Sequence, residues 1–140
     1  MDSYKISYKI DGNDFAIAGE ASRKFKKVLQ NLGIDPKIIR KATVAMYEGE
    51  INMVIHADGG CIDVEISKDK IEMTLKDIGP GIANIDLAMR EGCSTASDNV
   101  RELGFGAGMG LPNMEKYTDS MEISTKVGVG TTIKMIVNIN

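Results

Sequence analysis

The chain has 140 residues, 43% of them hydrophobic, and a formal net charge of −3 with acids and bases mixed along its length. That is enough for one domain with a real core across residues 1–140, of ordinary globular composition. No basic stripe speaks for nucleic acid, and no apolar run approaches the roughly 20 residues that span a bilayer. The opening Met1-Asp2-Ser3-Tyr4-Lys5 has no apolar signal core, so a cytoplasmic chain is expected, with neither nucleic acid nor membrane as partner.

Ser3 to Ile10 alternates, with Tyr4, Ile6, Tyr8 and Ile10 on one face and Ser3, Lys5, Ser7 and Lys9 on the other, which predicts a half-buried strand. Asp11 to Asp14 is a turn signal, and Phe15 to Ala18 is expected to resume extended structure. Glu20 to Leu32 carries Ala21, Phe25, Val28, Leu29 and Leu32 at helical spacing, and Gly33 stops it. Asp35-Pro36 opens a second helix, with Asp as N-cap and Pro in the first helical position. Its apolar residues, Ile38, Ile39, Ala42, Ala45, Met46 and Met53, carry it to His56, where Asp58-Gly59-Gly60 ends it. Cys61 to Ser67 and Ile71 to Lys76 form a hairpin around Lys68-Asp69. Beyond Asp77 to Gly81, a short helix is expected over Asn84 to Glu91 and a polar loop over Gly92 to Leu103. Leu111 to Tyr117 reads as a helix, and Met121 to Lys126 and Thr131 to Ile139 as two strands around Gly128-Val129-Gly130. The clustered hairpins predict an antiparallel or mixed sheet with helices on one face. Cys61 and Cys93 lack metal-ligand spacing, and a single histidine leaves too few ligands for a structural zinc site, so both are expected to be free thiols in a reducing compartment.

Three elements carry chemistry. The strip Gly104-Phe105-Gly106-Ala107-Gly108-Met109-Gly110 is bare backbone ahead of a helix, and helix starts with unpaired N–H groups attract phosphate. It is not a P-loop, which needs Gly-Lys-Ser/Thr; it does not follow a strand as a dinucleotide fingerprint would; and no protein-kinase catalytic loop accompanies it. Glu48, Asn52 and His56 recur every four residues and line one stripe of the second helix. Such a stripe is either a polar helix face or a functional one, in which the Asn52 oxygen meets a divalent cation and Glu48 accepts a proton from a hydroxyl. Asp77 precedes Gly79-Pro80-Gly81, where it is either a turn cap or an acceptor for an exocyclic amine, with Gly79 and Gly81 letting a flat ring approach.

The Glu48…Asn52…His56 helix, Asp77-x-Gly-x-Gly81, Gly104-x-Gly-x-Gly-x-Gly110 and Gly130-Thr131-Thr132 occur in the order of the N, G1, G2 and G3 boxes. In this the chain resembles the GHKL ATPases, which include gyrase, histidine kinases and MutL, and within them the small bacterial anti-sigma-factor serine/threonine kinases. Gly79 to Thr95 looks most like the stressosome switch kinases. The resemblance covers nearly the whole chain. It implies a Bergerat fold, an α+β two-layer sandwich of a mixed, mostly antiparallel sheet backed by helices, with ATP between the layers. It implies that Asn52 holds Mg²⁺, that Asp77 binds the adenine amine, and that Gly79 and Gly81 flank the base. Gly104, Gly106, Gly108 and Gly110 would cradle the phosphates, and Thr131 or Thr132 would support the adenine end. Glu48 would be the general base that activates a partner's hydroxyl. The implied partners are a STAS-domain anti-sigma-factor antagonist and either a sigma factor or a PP2C-type phosphatase, with a homodimer also within the family's habits.

Gly49 and Glu50 depart from the family pattern. Gly49 points to close packing or nucleotide approach, since glycine costs about 1 kcal/mol within a helix relative to alanine. Glu50 lies about 200° from Glu48 around the helix and is expected to face solvent. Arg101 is either a solvated charge or a contact for the γ-phosphate. Two further functions stand beside the kinase: an ATP-gated interaction module without catalysis, and the catalytic piece of a histidine kinase. The last is disfavoured because there is no room for a dimerisation helix pair and because the only histidine, His56, falls inside the proposed site.

Overall fold

Alternation along Tyr4–Asp11 makes the first strand, β1, which buries Ile10 and half-buries Ile6 and Tyr8 on one face. The computed structural model describes residues 3–12, 14–82, 85, 89 and 110–140. Phe15–Ile17 is one turn of 3-10 helix and not the extended segment that its sequence suggested. The chain must swing from an edge strand into a helix within a few residues. The Asp14 and Phe15 carbonyls accept from the Ile17 and Ala18 N–H groups, both at 3.4 Å, to make that bend.

Two helices follow, α1 (Glu20–Asn31) and α2 (Pro36–His56). The start of α2 is set as expected: the Asp35 side chain accepts from the Lys37 N–H at 2.8 Å, and Pro36 occupies the first turn. Then come the hairpin strands β2 (Gly59–Ile66) and β3 (Lys70–Asp77), the short helix α3 (Gly110–Lys116), and the closing strands β4 (Ser120–Lys126) and β5 (Gly130–Asn138). The sheet order is β1-β2-β3-β5-β4, and every neighbouring pair is antiparallel. No parallel pair occurs among the described residues, so of the antiparallel and mixed alternatives the first holds. The architecture is α+β, with helices over one sheet face.

Alternation sends Ile62, Val64, Ile66, Ile71, Met73, Leu75, Ile133, Met135 and Val137 to that face, against Phe25, Leu29, Ala42, Met46 and Met53 of the helices. Each large side chain so buried contributes about 1.5–3 kcal/mol relative to exposure. The opposite face is polar, with the Ser7 hydroxyl donating to Asp63 at 2.7 Å and Lys134 paired with Glu72 at 2.7 Å.

Glu50 corrects the sequence expectation. It is 2% exposed and faces α1, not solvent. Its Oε2 accepts from the Gly19 N–H at 2.9 Å and the Ala21 N–H at 3.2 Å. Its Oε1 accepts from the Ser22 N–H at 3.0 Å and the Ser22 hydroxyl at 2.7 Å. A helix start has N–H groups with no partner of their own, and Gly19, at the N-cap position of α1, has no side chain to satisfy them. Glu50 supplies that cap from the neighbouring helix, and its negative charge complements the dipole of α1. Glu50→Ala should therefore lower unfolding stability by about 3 kcal/mol in urea titrations, because several donors lose their buried acceptor together. Glu50→Gln should lose less, since an amide keeps one oxygen to accept.

Candidate functional site

The β3-β5-β4 order brings the C-terminal end of β3 beside the start of β5, with Lys76 opposite Thr132 and Thr125 opposite Thr131. There the Thr131 N–H donates to Asp77 Oδ1 at 2.8 Å. Oδ2 takes no hydrogen bond from a described residue. Burial raises the Asp77 carboxyl above its ordinary range, and the Thr131 N–H pulls the other way. Thr131 is 5% exposed, on the helix-facing side of the sheet. Strand alternation turns Thr132 to the opposite face, away from Asp77.

The turn after Asp77 is tied to the β4–β5 turn. The Gly79 N–H donates to the Val129 carbonyl at 3.2 Å, and the Gly128 N–H to the Pro80 carbonyl at 2.8 Å. Gly81 has φ 75°, and a Cβ there would stand 2.6 Å from the Lys126 carbonyl oxygen, so only glycine fits. The Ile82 N–H donates to Thr125 Oγ1 at 2.9 Å. That hydroxyl lies 2.9 Å from Thr131 Oγ1 and 3.3 Å from the Gly130 carbonyl oxygen.

The second half of the site lies between α2 and α3. Glu48 and Asn52 are half-buried on the α2 turn that meets Gly110, Asn113 and Met114. Asn52 Oδ1 is 3.8 Å from where a Gly110 Cβ would stand. Gly49 lets the helices and sheet close up: a Cβ there would collide with Leu75 Cδ2 and lie 3.4 Å from Met114 Sδ. Of the two explanations for this helix glycine, close packing is the one with a visible cause. Burial raises the Glu48 carboxyl, while a hydrogen bond with Asn113 draws it down. Its Oε2 is buried with no hydrogen-bond partner among the described residues. A carboxylate oxygen left unpaired out of water is destabilising, and such groups concentrate where chemistry uses them.

Asp77, Gly79, Gly81 and Thr131 thus share one sheet end, while Glu48, Asn52 and Gly110 share one helix contact. Gly104, Gly106, Gly108, Arg101 and Cys93 lie outside the described residues, as do most of the helix expected over Asn84 to Glu91 and all of the loop at Gly92 to Leu103. The same is true of the His56 side chain. Cys61 is a free thiol. No helix among the described residues is long and apolar enough to cross a membrane. Sequence reasoning missed Asn113 and Thr125. Asn113 stands three residues after Gly110, on the same helix face, and Thr125 stands opposite Thr131 once the Val127–Val129 turn sets the hairpin register.

An antiparallel sheet with helices on one face, a half-buried acid and amide one turn apart, and an acid at the strand end held by a threonine N–H define a class. The chain belongs to the histidine kinase-like ATPase domain family, whose model matches residues 14–137. It is similar to the serine/threonine-protein kinase RsbT of Bacillus subtilis, with 30% identity over 115 residues, 79% of this chain and 80% of that one. It is also similar to an anti-sigma F factor of Clostridium beijerinckii, with 32% identity over 108 residues, 71% of this chain and 72% of that one. Among solved structures, the mycobacterial sensor histidine kinase MprB superimposes with a TM-score of 0.54 over 96% of this chain and 97% of that one. At 14% identity this last likeness shows the fold alone.

A carboxyl whose pKa is raised by folding supports the folded state at low pH and loses that support as pH rises through the folded pKa. Glu48→Gln removes the buried charge and should raise the melting temperature at pH 7 to 8. The gain should vanish below about pH 4, where the native carboxyl is protonated in both states. Melting curves across pH check this.

Proposed function

We propose that this chain is a single-domain, ATP-dependent serine/threonine protein kinase of the anti-sigma regulatory type, which phosphorylates a STAS-domain antagonist protein. The observation that carries this proposal is the Glu48 carboxylate, half-buried with an oxygen that finds no partner among the described residues, one helical turn from Asn52. A binding module needs no buried base; a hydroxyl nucleophile does. The names of RsbT and the anti-sigma F factors support the regulatory setting.

The residues present fit a magnesium nucleotide. Asn52 offers a neutral oxygen facing a bare glycine, which suits a cation that keeps most of its ligands as phosphate and water. Asp77 offers an unshared carboxylate oxygen to the amine of a purine, with the Gly79–Gly81 turn as the floor for its ring. Gly110 would stand at the phosphates beside Asn52, and Gly104, Gly106 and Gly108 are assigned there on the family resemblance alone. Thr131, and not Thr132, would support the base. When bound, Mg-ATP supplies the phosphoryl group and the metal charge that neutralises it. Glu48 would then take the proton of the partner's serine or threonine hydroxyl on its carboxylate, with Asn113 beside it.

Radiolabelled ATP mixed with the protein and a STAS-domain protein from the same genome should label the latter. Glu48→Gln should abolish transfer while leaving Mg-ATP binding within about twofold by calorimetry. Full transfer by this variant would make the chain a nucleotide-gated interaction module or a kinase with another base. Because burial raises Glu48, the acid limb of the wild-type rate profile should lie above the usual carboxylate range, with activity lost as pH falls through it. Asp77→Asn should weaken ATP binding by about tenfold or more, or about 1.4 kcal/mol.

A further inference from the structure

We propose that Thr125 on β4 is a positioning residue that fixes the direction of the Thr131 hydroxyl, so that the edge of the site beside Asp77 is matched to adenine and mismatched to guanine. This rests on the purine site described under Proposed function, and it concerns a residue that touches no ligand.

A threonine hydroxyl has one proton to give. Thr125 Oγ1 already accepts from the Ile82 N–H at 2.9 Å, so that side of its oxygen is occupied. Two acceptors compete for its proton, Thr131 Oγ1 at 2.9 Å and the Gly130 carbonyl oxygen at 3.3 Å. Good O–H···O bonds fall between about 2.5 and 3.0 Å. The first contact falls in that range, and the second is the longer and weaker of the two.

The choice decides what Thr131 can do. If Thr125 gave its proton to Gly130, Thr131 would have to spend its own proton on Thr125, and only lone pairs would remain beside Asp77. With Thr125 donating to Thr131, the Thr131 proton is left over. The Thr131 O–H is then free to donate on the sheet face that also carries the Asp77 carboxylate. An adenine edge offers a donating amine next to an accepting ring nitrogen, the complement of this pair, whereas guanine offers an accepting oxygen next to a donating N–H. The Thr131 N–H to Asp77 Oδ1 bond at 2.8 Å ties the acid to the Thr131 main chain. Thr125 and Thr131 are a cross-strand pair on the same face, so the relay needs no rearrangement. Thr125 also holds Ile82 and, through it, the turn that carries Gly79 and Gly81.

The test measures Mg-ATP and Mg-GTP binding to the full chain by calorimetry for wild type, Thr125→Val, Thr125→Ala and Thr125→Ser, with melting curves for each. Valine keeps the shape and removes the hydroxyl; alanine serves if valine overpacks the hairpin. Both should bind ATP about tenfold more weakly and show an ATP-over-GTP ratio reduced by about tenfold, the loss of one well-placed hydrogen bond. Serine keeps the hydroxyl and should restore the ratio to within about twofold. A lowered melting temperature with an unchanged ratio in both apolar variants would make Thr125 a fold residue only and overturn the proposal. If the wild-type chain binds neither nucleotide, the purine site fails and this role fails with it. If it binds ATP and the apolar variants match it, only the role of Thr125 falls.

Discussion

Four donors from the start of α1 converge on the carboxylate of Glu50, which is almost wholly out of water. An unpaired charge in that position would be strongly destabilising, and an uncapped helix start buried against α2 would leave several N–H groups without acceptors. Each side of the contact makes the other tolerable. The consequence reaches past α1. Glu50 fixes the rotation of α2 about its own axis, and successive residues on a helix are turned by about 100°. With Glu50 committed to α1, Gly49 is turned onto Leu75 of the sheet and Glu48 toward α3. Three consecutive residues meet three different parts of the molecule, and the proposed base is aimed by the other two.

The sheet end obeys a different constraint. Because β5 lies between β3 and β4, the segment leaving β3 and the turn joining β4 to β5 emerge side by side. Backbone hydrogen bonds between Gly79 and Val129, and between Gly128 and Pro80, lock the two turns together. Asp77 is therefore held by neighbours that are themselves strand and turn backbone. A site built on such elements keeps its geometry better than one built on free loops. The acid that would read a base sits on rigid support, and the acid that would move a proton sits on a helix held by a buried cap.

Periodicity made much of this fold legible. The alternation of β1, β2 and β3 and the Asp35-Pro36 start of α2 are local signals, and the strands and helix lie where those signals put them. Glu50 was illegible for a physical reason. Helical geometry gives its direction relative to Glu48, but whether that direction meets solvent or another helix depends on tertiary packing. A carboxylate with no nearby basic residue in sequence looks solvent-facing unless one knows that bare N–H groups await it. Phe15 to Ala18 failed similarly, because its apolar residues fit a strand as well as a tight 3-10 turn. At the site, the spacing of Glu48 with Asn52 and the Asp77-x-Gly-x-Gly81 pattern were readable. The residues beside them, Asn113 and Thr125, were not, since each comes from an element distant in sequence and carries a residue type common on any polar surface.

Glu48 and Glu50 are the same side chain, two positions apart on one helix, and both leave water to a large degree. They differ in what meets them. Glu50 has its oxygens filled by donors and holds the fold. Glu48 has one oxygen that no described residue satisfies, and burial pushes its carboxyl upward. A protein selected only for stability would replace the second by an apolar or amide side chain of similar size, as unfilled buried acceptors are unfavourable. The unfilled oxygen stands one turn from an amide oxygen that faces bare backbone. On the reading proposed above, that oxygen is kept for what it does to a proton, beside groups suited to a metal and a phosphate.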